Sequence, residues 1–274
     1  MNTDAASQAL INAALSALKA EVRTRTPSNP VESGWKAYSQ CDEDGIIREC
    51  LQRISVVSKM SRCFVEIGCG DGLENNSHQL LLEGYRGCWV DADPSNVRRI
   101  ADGLGGLRFD NRLEVIEARL VRENSAVHFA RMATFLGTAD IDLFSMDTDG
   151  NDLELTRIAL EHFHPKLLCV EYNGKLRPPT RLEMAYDGVH TWEGDDFYGA
   201  SLTAWVDAFP DYLLVSCNLS GVNAFLVRRD VATGFTRHDP EMLYQPPRYW
   251  LVDVAAGHRA GYRWLRQVLS SAIG

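Results

Sequence analysis

The run Phe64-Val65-Glu66-Ile67-Gly68-Cys69-Gly70-Asp71-Gly72 leaves an apolar segment for a turn in which glycines recur at every second position. Missing side chains let a ligand approach the backbone at such a turn. A dinucleotide site would use Gly-x-Gly-x-x-Gly to receive a pyrophosphate, whereas here the spacing is shorter and a carboxylate precedes it. A second carboxylate, Asp91, ends the apolar run Cys88-Trp89-Val90, about 20 residues beyond the turn, where it can accept both hydroxyls of a ribose. Asp93 is its competitor. Together these residues suit an adenosyl ligand that carries no phosphate, S-adenosylmethionine. Gly68, Gly70 and Gly72 would pack along it, and Glu66 would attract its ammonium group directly or through water. Ala118, at the end of a later apolar run, is a candidate for adenine contact. The plain structural alternative has Glu66 capping the following helix and Asp91 opening a turn before Pro94.

A second acidic cluster lies in Ile141-Asp142-Leu143-Phe144-Ser145-Met146-Asp147-Thr148-Asp149-Gly150-Asn151-Asp152. Asp147 falls at the carboxyl end of a strand, where open α/β sheets bind ligands. The segment Leu168-Cys169-Val170-Glu171-Tyr172-Asn173 brings Glu171 and Asn173 to the same edge. Asp147, Glu171 and Asn173 are therefore candidate oxygen ligands for Mg²⁺ or another divalent cation. An EF-hand is excluded, because the glycine falls at loop position four rather than six. Without a metal, Asp152 caps the next helix, Asp147 touches cofactor or substrate, and Glu171 pairs with a basic side chain. His190, among Trp192, Glu193, Asp195 and Asp196, is a candidate general base, as is Asp149; the bland reading of His190 is a solvated loop residue. His162 and His164 read as a helix end rather than metal ligands.

These groups need a scaffold that gathers strand ends. Strand-sized apolar runs at Cys63–Ile67, Gly87–Asp91, Leu113–Ala118, Ile141–Asp147 and Leu167–Tyr172 alternate with segments long enough for crossover helices. A helix near Gly199–Ala208 then precedes Tyr212–Asn218, a turn, and Ala224–Arg228, which read as an antiparallel hairpin. The expected fold is α/β, a Rossmann-like seven-stranded, mostly parallel sheet with a C-terminal antiparallel hairpin, as in class I methyltransferases. Residues 1–34 form an amphipathic helix and linker whose apolar face (Leu10, Ile11, Ala14, Leu15, Leu18, Val22) suits docking or homo-oligomer formation. Residues 35–274 form a single domain whose tail after Asp230 wraps the sheet or covers the site. The formal net charge of −9 argues against nucleic acid and anionic membranes as partners. The N-terminus lacks a secretory pattern, so the expected compartment is the cytoplasm. The seven cysteines form no Cys-x-x-Cys pair and read as reduced core thiols.

The chain resembles FkbM-like methyltransferases, an uncharacterised bacterial branch in particular, in an ordered set of runs over roughly residues 36–230. They include Ser39-Gln40-Cys41-Asp42-Glu43-Asp44-Gly45-Ile46-Ile47, Glu66–Gly72, Asn75-Asn76-Ser77 and Trp89-Val90-Asp91-Ala92-Asp93-Pro94. Further runs are Ser145–Asp152, Glu171-Tyr172-Asn173, Tyr198-Gly199-Ala200-Ser201-Leu202 and Gly221-Val222-Asn223-Ala224-Phe225. The resemblance implies methyl transfer from S-adenosylmethionine to a hydroxyl of a sugar, polysaccharide or secondary metabolite, with Gln40, Asp44 and Asn76 near the cofactor. Where the family has Asp-Val-Glu-Gly, this chain has the shorter carboxylate of Asp147-Thr148-Asp149-Gly150. A small-molecule or glycan acceptor is the expected partner. The rival classes are a nicotinamide-dependent oxidoreductase and a catalytically silent cofactor-binding assembly module.

Overall fold

In the computed structural model, residues 5–105, 112–252 and 257–270 are described. Seven strands, β1 (Cys63–Ile67), β2 (Arg86–Asp91), β3 (Leu113–Glu117), β4 (Leu143–Met146), β5 (Leu167–Glu171), β6 (Tyr212–Cys217) and β7 (Asn223–Arg228), form one sheet in the order β3-β2-β1-β4-β5-β7-β6. The first five are parallel, and β7 runs antiparallel to both β5 and β6. This is the Rossmann-like arrangement with a closing hairpin that the sequence leads one to expect. The chain order reverses beside β1, so the crevice beyond β1, β2 and β4 is the natural ligand position.

The strands read as unbroken apolar runs because both faces of the sheet are covered. On one face Val65, Ile67, Cys88 and Val90 pack against Phe129, Leu153 and Trp205, which belong to α5 (Arg122–Leu136), α6 (Asp152–Ala159) and α7 (Leu202–Ala208). On the other, Phe64, Trp89, Leu143 and Cys169 pack against Ile46, Leu81 and Ile100. Those three lie in α2 (Glu43–Ser55), α3 (His78–Leu82) and α4 (Pro94–Leu104). All seven cysteines are buried free thiols, four of them in strands.

The N-terminal helix, α1 (Ala5–Arg25), docks through only part of its expected face. Val22 is buried and Leu15 and Leu18 pack against the core, while Leu10 is 72% exposed. Helix α7 starts at Leu202 rather than near Gly199, since Gly199 has a positive φ of 59° and Ser201 is the N-cap, accepting from the Ala204 amide. After α8 (Pro240–Leu243) the Gln245 carbonyl accepts from the Tyr172 hydroxyl at 2.6 Å, just past β5, and the last described helix, α9 (Tyr262–Ser270), lies beside α4. No described helix is long and apolar enough to cross a membrane.

The sheet's amino end is closed by a buried charge pair. Asp142 accepts from the Ser61 and Arg62 amides at 3.0 and 2.7 Å and from the fully buried Lys166 ammonium at 3.0 Å, which also reaches Asp140 at 2.6 Å. Removing one partner of a buried pair strands the other without water. Urea unfolding of Asp142→Ala should therefore show a loss of about 3 kcal/mol or more; a loss below about 1 kcal/mol would mean that Asp140 suffices to hold the lysine.

Candidate active site

The carboxyl ends of β1, β2 and β4 open onto a cleft of about 520 Å³. Its floor is the glycine turn after β1. The Gly68 and Cys69 amides both donate to the Val90 carbonyl, at 2.8 and 3.2 Å, which pins the turn to β2. Gly68 has φ 81°, and a β-carbon there would lie 1.7 Å from the Asp147 carbonyl oxygen, so no side chain fits between the β1 and β4 ends. Gly70, with φ 57°, has no atom within 4 Å of where its β-carbon would stand, and it lines the cleft.

Asp91 stands at the mouth of the turn. One carboxylate oxygen accepts from the Gly70 amide at 2.8 Å, and the other accepts from the Asp93 amide at 2.9 Å and from Asn96 Nδ2 at 3.1 Å. Three donors on two oxygens leave lone pairs for a ligand hydroxyl. Asp93 also lines the cleft but caps α4, accepting from the Ser95 amide at 2.7 Å and the Ser95 hydroxyl at 2.8 Å. Ala118 lines the same cleft, and its amide donates to the Asp91 carbonyl at 3.0 Å.

The structure gives Glu66 a scaffold position behind the turn rather than a place on the cleft wall. Its carboxylate accepts from the Asn76 amide at 2.8 Å, the Ser77 amide at 3.0 Å and the Ser77 hydroxyl. Burial pushes its pKa up to about 7 despite these bonds. Gly72 lies against the Trp89 ring, and the Trp89 indole donates to Ser77 Oγ at 2.8 Å. The resemblance-derived cofactor residues are placed apart from the cleft lining. Asp44 is buried and accepts from the Ala37, Tyr38 and Ser39 amides at 2.7–2.9 Å, which shapes the loop before α2. Asn76 turns its amide toward Ser145 Oγ at 3.0 Å. Gln40 is exposed, and its carbonyl accepts from Lys36 at 2.8 Å.

Beyond the turn lies the acidic centre. Oxygens of Asp147, Asp149 and Glu171 come within 4.8 Å of one another, a grouping that differs from the expected one by Asp149 in place of Asn173. The Asn173 amide instead donates to the Asp196 and Tyr198 carbonyls at 2.9 and 3.2 Å, and its oxygen accepts from the Lys175 amide. Asp149 has φ 54°, a left-handed backbone that Asp tolerates better than most residues. Asp152 accepts from the Thr148 amide at 2.6 Å and the Gly150 amide at 2.9 Å, closing the loop that presents Asp149. Burial raises the pKa values of Asp147 and Glu171 well above the carboxylate range, and repulsion adds to it, from Asp149 and Asp152 on Asp147 and from Asp147 and Asp152 on Glu171. Asp149 is raised by burial and by Asp152, with His190 opposing. The Glu171 Oε2 atom is buried with no hydrogen-bond partner among the described residues.

His190 reaches the cleft as expected, its Nε2 lying 3.2 Å from the Asp149 carbonyl. A carbonyl only accepts, so Nε2 is the donor in this contact. Several cleft residues escaped the reading of the sequence, two of them polar groups above the opening. Arg119 and Thr191 both line the cleft, yet one follows a strand and the other sits in an irregular stretch, and neither carries a motif.

No protein-family model and no curated protein matches the sequence. In structure the chain is similar to a provisionally named caffeoyl-CoA O-methyltransferase from Staphylococcus aureus, at 13% identity over 66% of this chain and 82% of that one, with a TM-score of 0.44. A methyltransferase from Geobacter sulfurreducens gives 17% identity over 67% and 77%, with a TM-score of 0.40. TrmK of M. capricolum, solved with S-adenosylhomocysteine, gives 10% over 65% of each chain and 0.34. At such identities and scores these likenesses carry no argument about the reaction, which rests on the side chains themselves.

Glu66 supplies a direct check on the buried scaffold. Its folded pKa of about 7 lies above the unfolded value of 4.5, so its contribution favours the folded state fully below the unfolded value and is lost as pH rises through the folded one. A ¹³C carboxyl titration should find this group releasing its proton near pH 7; a midpoint in the ordinary carboxylate range would contradict the burial described.

Proposed function

We propose that this chain is an S-adenosylmethionine-dependent methyltransferase that methylates a hydroxyl of a small-molecule or glycan acceptor, with a divalent cation at the acidic centre. The observation that supports the cofactor reading best is the charge of the cleft. Its lining carries Asp91, Asp93, Asp147 and Asp149 against Arg119 and His190. A pyrophosphate would meet repulsion there, whereas a sulfonium and an ammonium would meet attraction. This is also why the nicotinamide-dependent reading ranks second.

The residues present fit the cofactor at three points. Asp91 has acceptor capacity for ribose hydroxyls, Gly70 leaves open space beside the backbone, and Ala118 presents a small apolar surface. When bound, S-adenosylmethionine supplies an electrophilic methyl group on a sulfonium sulfur. The donor set Asp147, Asp149 and Glu171 is all hard oxygen, which suits Mg²⁺ or a similar ion, and the unpartnered Oε2 of Glu171 fits that use. Held by these residues, such an ion would supply Lewis acidity.

The chain's own residues then have distinct tasks. Asp91 and the turn fix the cofactor's orientation, so that an in-line displacement needs only the acceptor to be aligned. Asp147 and Glu171, with raised affinity for protons, favour a neighbouring positive charge or take up a proton. Asp149, the most exposed of the three, and His190, which also lines the cleft, are the two candidates to receive the acceptor's proton.

Saturating S-adenosylhomocysteine at about a hundredfold excess over Kd should raise the melting temperature by about 5–10 °C. Asp91→Ala should abolish that shift. A shift with NAD and none with adenosylhomocysteine would reverse the ranking, and binding without methylation of any acceptor offered would favour the silent module. For the metal, calorimetry with Mn²⁺ should show binding to the wild type that Glu171→Gln weakens by at least about tenfold, the loss of one charged ligand. Turnover unaffected by a chelator would count against it.

A further inference from the structure

The cleft has two kinds of wall. Its floor and sides are strand ends and the glycine turn, held by buried backbone hydrogen bonds. Its roof, residues 186–199, contributes His190, Thr191 and Trp192 to the lining and is otherwise largely exposed. This segment spans the cleft from one bank to the other.

On the β4 bank, Asn151 and Asp187 exchange a reciprocal pair, the Asn151 amide donating to the Asp187 carbonyl at 2.8 Å and the Asp187 amide to Asn151 Oδ1 at 3.1 Å. His190 meets the Asp149 carbonyl, and the Gly199 amide donates to the Gly150 carbonyl at 3.1 Å. On the β3 bank, the Tyr186 hydroxyl accepts from the Arg122 amide at 2.9 Å and donates to Glu123 at 2.8 Å. The Arg122 guanidinium also lies 4.1 Å from the centre of the Tyr186 ring. Nearer the middle of the roof, the Arg119 guanidinium donates to the His190 carbonyl and reaches Thr191 Oγ1 at 3.5 Å. Arg119 itself is fixed from below, because Asn124 Nδ2 donates to its carbonyl at 3.0 Å.

We propose that Arg119 is a positioning residue that clasps the middle of the roof, residues 190–191, over the cleft, so that exchange of the cofactor and its product is slowed until this guanidinium lets go. The inference rests on the cofactor reading above. A guanidinium offers its donors in a rigid planar fork, which matches a carbonyl and a hydroxyl side by side better than the single rotating ammonium of a lysine. The contact is exposed, so it breaks without disturbing either core, as elements that admit ligands must. Gly194, with φ 84°, and Gly199, with φ 59°, give the segment two positions of left-handed backbone at which it can turn. The clasp also sets the His190 ring, because the carbonyl it grips belongs to the residue whose Nε2 meets Asp149.

The test compares wild type, Arg119→Ala, Arg119→Lys and, as a control on an exposed arginine of α4, Arg98→Ala. Two quantities are read: the dissociation rate of radiolabelled S-adenosylhomocysteine after dilution, and amide hydrogen exchange across residues 186–199 without ligand. Arg119→Ala should speed dissociation by about tenfold, the scale of one charge-assisted contact, and raise exchange in 189–197. Its melting temperature should stay within about 2 °C of wild type, as for a surface change. Arg119→Lys should fall between, and Arg98→Ala should match wild type. If the wild type binds adenosylhomocysteine but Arg119→Ala releases it at the same rate, the clasp is wrong and the cofactor reading stands. If the wild type binds none, the cofactor reading fails and the roof's role falls with it.

Discussion

Everything at the carboxyl end of this sheet depends on which carboxylates are supplied with backbone amides. Asp44, Glu66, Asp91 and Asp152 each accept at least two amide hydrogens from a neighbouring loop. Each thereby fixes that loop at the cost of burying a charge, a cost that charge-assisted bonds offset. The glycine turn, the loop before α2, the entry to α4 and the Asp149 loop are all held this way. Asp147, Asp149 and Glu171 carry no such bond from their side chains among the described residues. They are the groups left to interact with something from outside.

That division explains the polarity of the cleft. Scaffold acids raise the local negative potential without being spent by cations of the chain, and their fields add to the penalty on Asp147, which feels Glu66, Asp152 and Glu43 as well as Asp149. Nearby basic groups are occupied elsewhere: Lys175 pairs with Asp196, and Arg119 holds the roof. A site of this sign selects ligands that bring positive charge and rejects those that bring phosphates. The same field makes proton uptake by an approaching hydroxyl's neighbour favourable, so binding and chemistry draw on one source.

The strands were legible because a parallel sheet buried on both faces demands unbroken apolar runs, and β1 was read to the residue. The glycine turn and Asp91 were legible too, since close backbone approach and a strand-end carboxylate both leave marks in residue type. The roles of Glu66 and Asn173 were not. Whether a carboxylate or amide faces a ligand or a loop depends on where backbone amides arrive from distant segments, here Asn76 and Ser77 for Glu66 and residues 196–198 for Asn173. Asp149, on a left-handed backbone, takes the place of Asn173 beside Asp147 and Glu171, and no pattern of residue types announces that. Arg119 was silent for the same reason, its partner being a backbone carbonyl 71 positions away.

The most direct test of this account is a crystal structure of the protein with S-adenosylhomocysteine. The account requires the ribose hydroxyls on the Asp91 carboxylate, the adenine beside Ala118, and the sulfur directed toward Asp147, Asp149 and Glu171. Adenosylhomocysteine lying with its ribose away from Asp91, or its sulfur pointing away from the three acids, would contradict it.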